Sequence, residues 1–143
     1  MIEPEIFLPE DTSHPFLVIL LKVSNVWHFQ VVPGTINSLV PTLDGTALDS
    51  TPAPTKSLGG APGYVYIECK YTSGQSFPVP ADLKVMYDTT VPTDTDTMAY
   101  INLAYIDFSG TNPKKTSQNV LTSLYGERLK CGTNPAEYFF TRS

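Results

Sequence analysis

The chain of 143 residues is 41% hydrophobic and only 16% charged, which suits one core burying roughly 70% of the unfolded surface and excludes disorder. No apolar run approaches the ~20 residues of a membrane-spanning helix, and the thirteen prolines and nine glycines follow no collagen period. A net charge of −5 excludes a phosphate-backbone binder, which needs clustered Lys and Arg, so neither nucleic acid nor membrane insertion is expected.

Residues 1–15 hold Pro4, Pro9 and Pro15 among acids and predict an extended N-terminal arm. Phe16–Val23 and Val26–Val32, separated by Ser24-Asn25, predict a hairpin whose first strand is apolar enough to be covered on both faces. Asp44-Gly45 is the two-residue signal of a tight hairpin turn. Thr51–Gly63, with three prolines and three glycines, predicts a loop long enough to cross between sheets or subunits.

Gly63–Tyr71 alternates, with Val65, Ile67 and Cys69 facing a core and Tyr66, Glu68 and Lys70 facing solvent or an interface. Ser73-Gly74 is a turn, and Leu83–Tyr87 is a strand with Leu83, Val85 and Tyr87 on one face. After a polar loop at Val91–Thr97, Met98–Phe108 is the longest strand, with Ile101, Leu103 and Tyr105 on one face and Tyr100, Asn102 and Ala104 on the other. Gly110 to Pro113 ends it, and Ser117–Leu124 reads as a further strand, although its apolar residues also fit a helical stripe.

The two histidines are poor bases in waiting: His14 precedes Pro15, and His28 lies between Trp27 and Phe29. There is no Gly-x-Ser-x-Gly elbow, no His-Glu-x-x-His and no Cys/His cluster, and the Gly59–Gly63 bend lacks the Gly-Lys-Ser/Thr ending of a phosphate cradle. Asp94 and Asp96 could hold Ca²⁺ only if a loop wrapped round it; turn formation through their side chains is the favoured reading. No catalytic, cofactor-binding or metal residue is assigned, and the chain is not expected to be an enzyme. Cys69 and Cys131 lack metal or redox spacing and are expected as thiols, Cys69 in the core. The Met-Ile-Glu-Pro-Glu start carries no secretory pattern, so assembly in a cytoplasm is expected.

Charge and aromatics point to contacts with other chains. Residues 1–107 carry twelve acids and four bases, whereas residues 108–143 carry two acids and five bases, so an acidic body meets a basic tail within one subunit or between neighbours. Most of the aromatics fill a core, but Tyr64, Tyr66, Tyr100 and Tyr125 are interface candidates. In the tail over 125–143, Tyr138, Phe139 and Phe140 stand beside Arg128, Lys130 and Arg142 and are expected to dock on a neighbouring subunit.

The fold class is therefore all-β: an antiparallel sandwich or jelly-roll-like domain over 16–143, of about seven to nine strands. The segments Val-Pro-Thr-Leu-Asp-Gly-Thr-Ala-Leu-Asp at 40–49, Pro-Ala-Pro-Thr at 52–55 and Tyr-Val-Tyr-Ile-Glu-Cys at 64–69 resemble a family of small tailed-bacteriophage virion proteins. So do Val-Pro-Thr-Asp-Thr-Asp-Thr-Met-Ala-Tyr at 91–100 and Gly-Glu-Arg-Leu-Lys-Cys-Gly at 126–132. The resemblance implies a virion component that assembles in the host cytoplasm as a homo-oligomer, a trimer, beside other virion proteins. A fibre or tail-tip module touching a host surface glycan is the favoured role. A head decoration protein and a free carbohydrate-binding domain are the alternatives, and the resemblance carries no catalytic residue.

Overall fold

The computed structural model describes residues 15–36, 38–72 and 80–119, together with the backbone of 127–131 and 136–140. Among the described residues all regular elements are strands: β1 (Val18–Val23), β2 (Val26–Val31), β3 (Thr42–Leu43), β4 (Thr46–Ala47), β5 (Lys56–Ser57), β6 (Gly63–Tyr71), β7 (Pro80–Asp88), β8 (Met98–Ser109), β9 (Asn112–Gln118), β10 (Glu127–Cys131) and β11 (Ala136–Phe140). β1, β2 and β5 form a three-stranded sheet in the order β1-β2-β5. A six-stranded sheet runs β4-β3-β7-β6-β8-β9, antiparallel except where β3 meets β7. β10 and β11 pair with each other as a hairpin. Residues 1–14 of the predicted arm over 1–15, the Ser73-Gly74 turn and residues 120–126 lie outside the described residues.

Local chemistry explains the hairpins. Ser24 and Asn25 both take positive φ, 50° and 69°, and Asp44 and Gly45 take 52° and 86°; left-handed residues in pairs match the twist of the flanking strands. Val23 pairs with Val26, and Leu43 with Thr46, at the ends of these turns. β5 forms inside the segment expected to be only a loop, because Lys56 and Ser57 find Phe29 and His28 as partners on the free edge of β2. The connection thus carries the chain from the larger sheet to the smaller and back, as its length allows.

The two sheets share one hydrophobic core. Val18, Phe29 and Val31 from the smaller sheet pack with Val65, Ile67, Cys69, Leu83, Val85, Leu103 and Ile106 from the larger. The Phe29 and Tyr87 rings meet across the gap with centroids 5.6 Å apart. β1 is less covered than its composition suggests: Ile19 and Leu21 are half-buried, and Lys22 and Val23 are exposed. Cys69 is buried as expected; the side chain of Cys131 lies outside the described residues.

Three bulges set which residues face this core. Val65 pairs with Ala104 but Tyr66 pairs with Asn102, so Leu103 is an extra residue on β8. Leu103 and Ala104 are consequently both buried, and the alternation beyond them is inverted. Ala104 joins the core and Tyr105 turns to the opposite face, the reverse of the assignment that strict alternation makes. On β9, Ile106 pairs with Lys115 and Tyr105 with Ser117, which makes Thr116 an extra residue. On β7, Ala81 is bypassed between Asp82 and Pro80.

Candidate interaction face

The face of the larger sheet turned away from the core carries a cluster of tyrosines. Alternation along β6 presents Tyr64, Tyr66 and Glu68 there, and β8 adds Tyr100, Asn102 and, because of the Leu103 bulge, Tyr105. β7 contributes Lys84, Met86 and Asp88 opposite Glu68, Tyr66 and Tyr64. Tyr64 and Tyr105 are direct cross-strand partners with ring centroids 4.7 Å apart, and Tyr66 meets Tyr100 edge-on at 5.9 Å. Tilted and edge-on contacts set the positive rim of one ring against the negative face of another, worth about 0.5–1.5 kcal/mol per pair beyond burial.

Tyr66 anchors the cluster. It is 2% exposed, and its hydroxyl donates to Asp88 Oδ2 at 2.6 Å. Burial raises its pKa well above that of an ordinary tyrosine, reinforced by the bond to Asp88 and by the Asp88, Glu68 and Tyr100 charges. Burial also raises the Tyr100 pKa, helped by the charges of Glu68 and Asp94. Both phenols therefore remain neutral donors at physiological pH. Tyr64, Tyr100 and Tyr105 are half-buried, leaving part of each ring open to a partner.

Asp94 closes one margin of this face. Its Oδ1 accepts the Tyr100 N–H at 2.9 Å, and next to it Thr95 Oγ1 accepts the Met98 N–H at 3.1 Å. Asp94 thus performs the turn chemistry favoured from its sequence context. Among the described residues, no group of three His, Cys, Asp or Glu side chains is placed to hold a metal ion. His28 stays on β2, its Nδ1 3.0 Å from the Val26 carbonyl oxygen.

Of the sequence candidates, the structure brings Tyr64, Tyr66 and Tyr100 together on this one face. Tyr125 and Arg142 lie outside the described residues, as do the side chains of Arg128 on β10 and of Tyr138, Phe139 and Phe140 on β11. Tyr105 and Asp88 complete the cluster and were not singled out from sequence. Asp88 could have been found from strand pairing, whereas Tyr105 depends on a bulge that no residue type announces. Comparisons with protein-family models, with curated proteins and with solved structures found no match for this chain.

Proposed function

We propose that this chain is a non-enzymatic structural module of a tailed-bacteriophage virion, the subunit of an oligomeric fibre or tail tip, and that it assembles through its tyrosine face. The observation that carries the reading is the gathering of Tyr64, Tyr66, Tyr100 and Tyr105 on the sheet face opposite the core. The ring pairs already steady the sheet, but the parts of Tyr64, Tyr100 and Tyr105 left open gain more against a partner than against water, and interfaces between proteins are enriched in tyrosine. Covering the open parts of three rings yields on the order of 5 kcal/mol of gross apolar stabilisation, at ~25 cal/mol per Å², before ordering costs. The charges at this face are mixed, Glu68, Asp82, Asp88 and Asp94 standing with Lys70 and Lys84, so a partner surface that pairs both signs, with a small basic excess, is favoured. The virion setting is supported by the resemblance over residues 30–143.

Light scattering of the purified chain at micromolar concentration tests the assembly, and labelled antibody on purified particles tests the setting. The intact chain should be oligomeric, and replacing Tyr64 and Tyr105 by serine should shift it to monomer with an unchanged β-sheet circular dichroism spectrum. A monomeric wild-type chain, or a double variant with unaltered mass, would remove the assembly reading. Particles that bind no antibody would remove the virion reading.

A further inference from the structure

At one end of the sandwich, the β1–β2 turn, the β5–β6 connection and the β8–β9 turn surround a cleft of about 300 Å³. Trp27 and Phe108 supply its aromatic walls and Val26 an apolar rim, while Asn25, Ser57 and Thr111 bring an amide and two hydroxyls. Gly59, Gly60 and Gly110 line the rest with bare backbone, and a methyl group built on any of them would meet nothing within 4 Å. None of these residues belongs to the tyrosine face.

The cleft is held in shape by its own bonds. Leu58 N donates to the Trp27 carbonyl at 3.0 Å, tying the β5–β6 connection to β2, and Gly59 N donates to Ser57 Oγ at 3.1 Å. Lys22 Nζ lies 5.3 Å from the centroid of the Trp27 ring, a cation–π contact that steadies the indole from the neighbouring strand.

The chemistry of the walls restricts the ligand. No ionisable side chain lines the cleft, so it offers neither the paired cations an anion needs nor carboxylates for a cation. The volume lies at the small end of the ~300–1,000 Å³ range of ligand sites, which suits one ring and not an extended chain. Aromatic walls with hydroxyl, amide and backbone groups at the edge match a neutral ring that has an apolar C–H face and a hydroxyl periphery. We propose that this end cleft binds a single neutral pyranose sugar, laid against Trp27 with its hydroxyls met by Asn25, Ser57 and Thr111. The inference stands independently of oligomeric assembly.

Trp27 is the chain's single tryptophan, so its emission reports the cleft directly. The full chain is titrated with glucose, galactose, mannose and N-acetylglucosamine to about 100 mM, a range that covers the millimolar affinities of small polar ligands. Saturation-transfer NMR is run on the same four sugars. At least one sugar should give a saturable emission change and saturation transfer. Asn25→Gly, which keeps a residue suited to positive φ, and Thr111→Val, at an exposed site, should each weaken binding by about three- to tenfold without changing the circular dichroism spectrum. The proposal is overturned if all four sugars give neither signal, or if the N25G/T111V double variant binds as the wild type does. It is equally overturned if the Trp27 signal responds only to a peptide of residues 136–143, which would make the cleft a seat for the chain's own aromatic end.

Discussion

Gln118 and Val18 are a hundred residues apart in sequence, yet the Gln118 side chain completes the hydrogen bonding of the Val18 backbone. Its Oε1 accepts the Val18 N–H at 2.9 Å, while its Nε2 donates to the Phe16 carbonyl at 3.3 Å and to the Leu103 carbonyl at 3.2 Å. One amide thereby links β1, the edge of the smaller sheet, to the larger sheet. The Thr116 bulge makes this possible: residues three apart on a regular strand point to opposite faces, but here Lys115 lies opposite Ile106 and Gln118 opposite Ala104, both core residues. Gln118→Met keeps the volume and loses every one of these bonds. It should cost about 1–3 kcal/mol, because the Val18 N–H is left buried without its acceptor. Urea unfolding followed by circular dichroism measures it, and a midpoint equal to wild type would show that the amide is dispensable.

Lys115 shares this joint and gives it a pH dependence. Its Nζ donates to the Val18 carbonyl at 2.9 Å and to Gln118 Oε1 at 3.1 Å, and burial pushes its pKa down to about 8. An unfolded lysine titrates at about 10.4. Between these values the unfolded chain holds more protons than the folded one, so this group makes stability rise as pH increases from about 8 to about 10. Since the side chain is only half-buried, solvent screening limits the gain to on the order of 1 kcal/mol. Lys115→Met should flatten that rise in unfolding free energy measured at successive pH values; an identical slope in both proteins would contradict the assignment.

The tyrosines act in the opposite sense. Burial pushes the Tyr87 phenol up to about 12, and Tyr66 is raised as well. Their contribution is complete below the unfolded value of ~10 and is lost as pH climbs toward the folded values. Tyr66→Phe removes the bond to Asp88 and should cost about 0.5–1.5 kcal/mol at neutral pH, Asp88 being exposed. In an ultraviolet titration of the folded protein, one late-ionising phenol should disappear. Retention of every late step in the variant would show that Tyr66 is not among them.

Gly63 tests how closely the strands beneath the tyrosine face approach. A methyl group there would lie 2.8 Å from the Asp88 carbonyl oxygen and 3.0 Å from Tyr87 Cζ. Gly63→Ala must therefore move β7 backbone, at a cost of about 1–3 kcal/mol. Thermal unfolding should show a lower midpoint, and an unchanged one would mean that the strand end yields freely.

Strand character was legible wherever one face is regular. Val65, Ile67 and Cys69 announced β6, and Asp44-Gly45 announced the β3–β4 turn, because period-two burial and left-handed turn residues leave direct marks in a sequence. Tyr105 was assigned to the wrong face because the Leu103 bulge is a backbone event with no required residue. Pro113 read as a terminator but sits inside β9, an edge strand, where a missing N–H is tolerated. β5 was invisible because two residues have no period. The tyrosine cluster was partly legible for the same reason: Tyr64 and Tyr66 share the alternation of β6, while Tyr105 joins them only through the bulge.

The short outer strands and the Gln118 link also decide how such a molecule can meet its neighbours. β4 and β5 are two residues long, β9 carries Pro113 and Lys114, and β1 is engaged at its Val18 end through Gln118. The β4, β5 and β9 rims are thus poor templates for an incoming strand, and the β1 rim is closed at its Val18 end. Backbone-to-backbone growth of the kind that runs on into fibrils is disfavoured, whereas side-chain contact on a sheet face ends once that face is covered. Association through the tyrosines would accordingly be set by the fit of side chains on one face, and whether it closes into a ring depends on the rotation between neighbours and not on any strand edge.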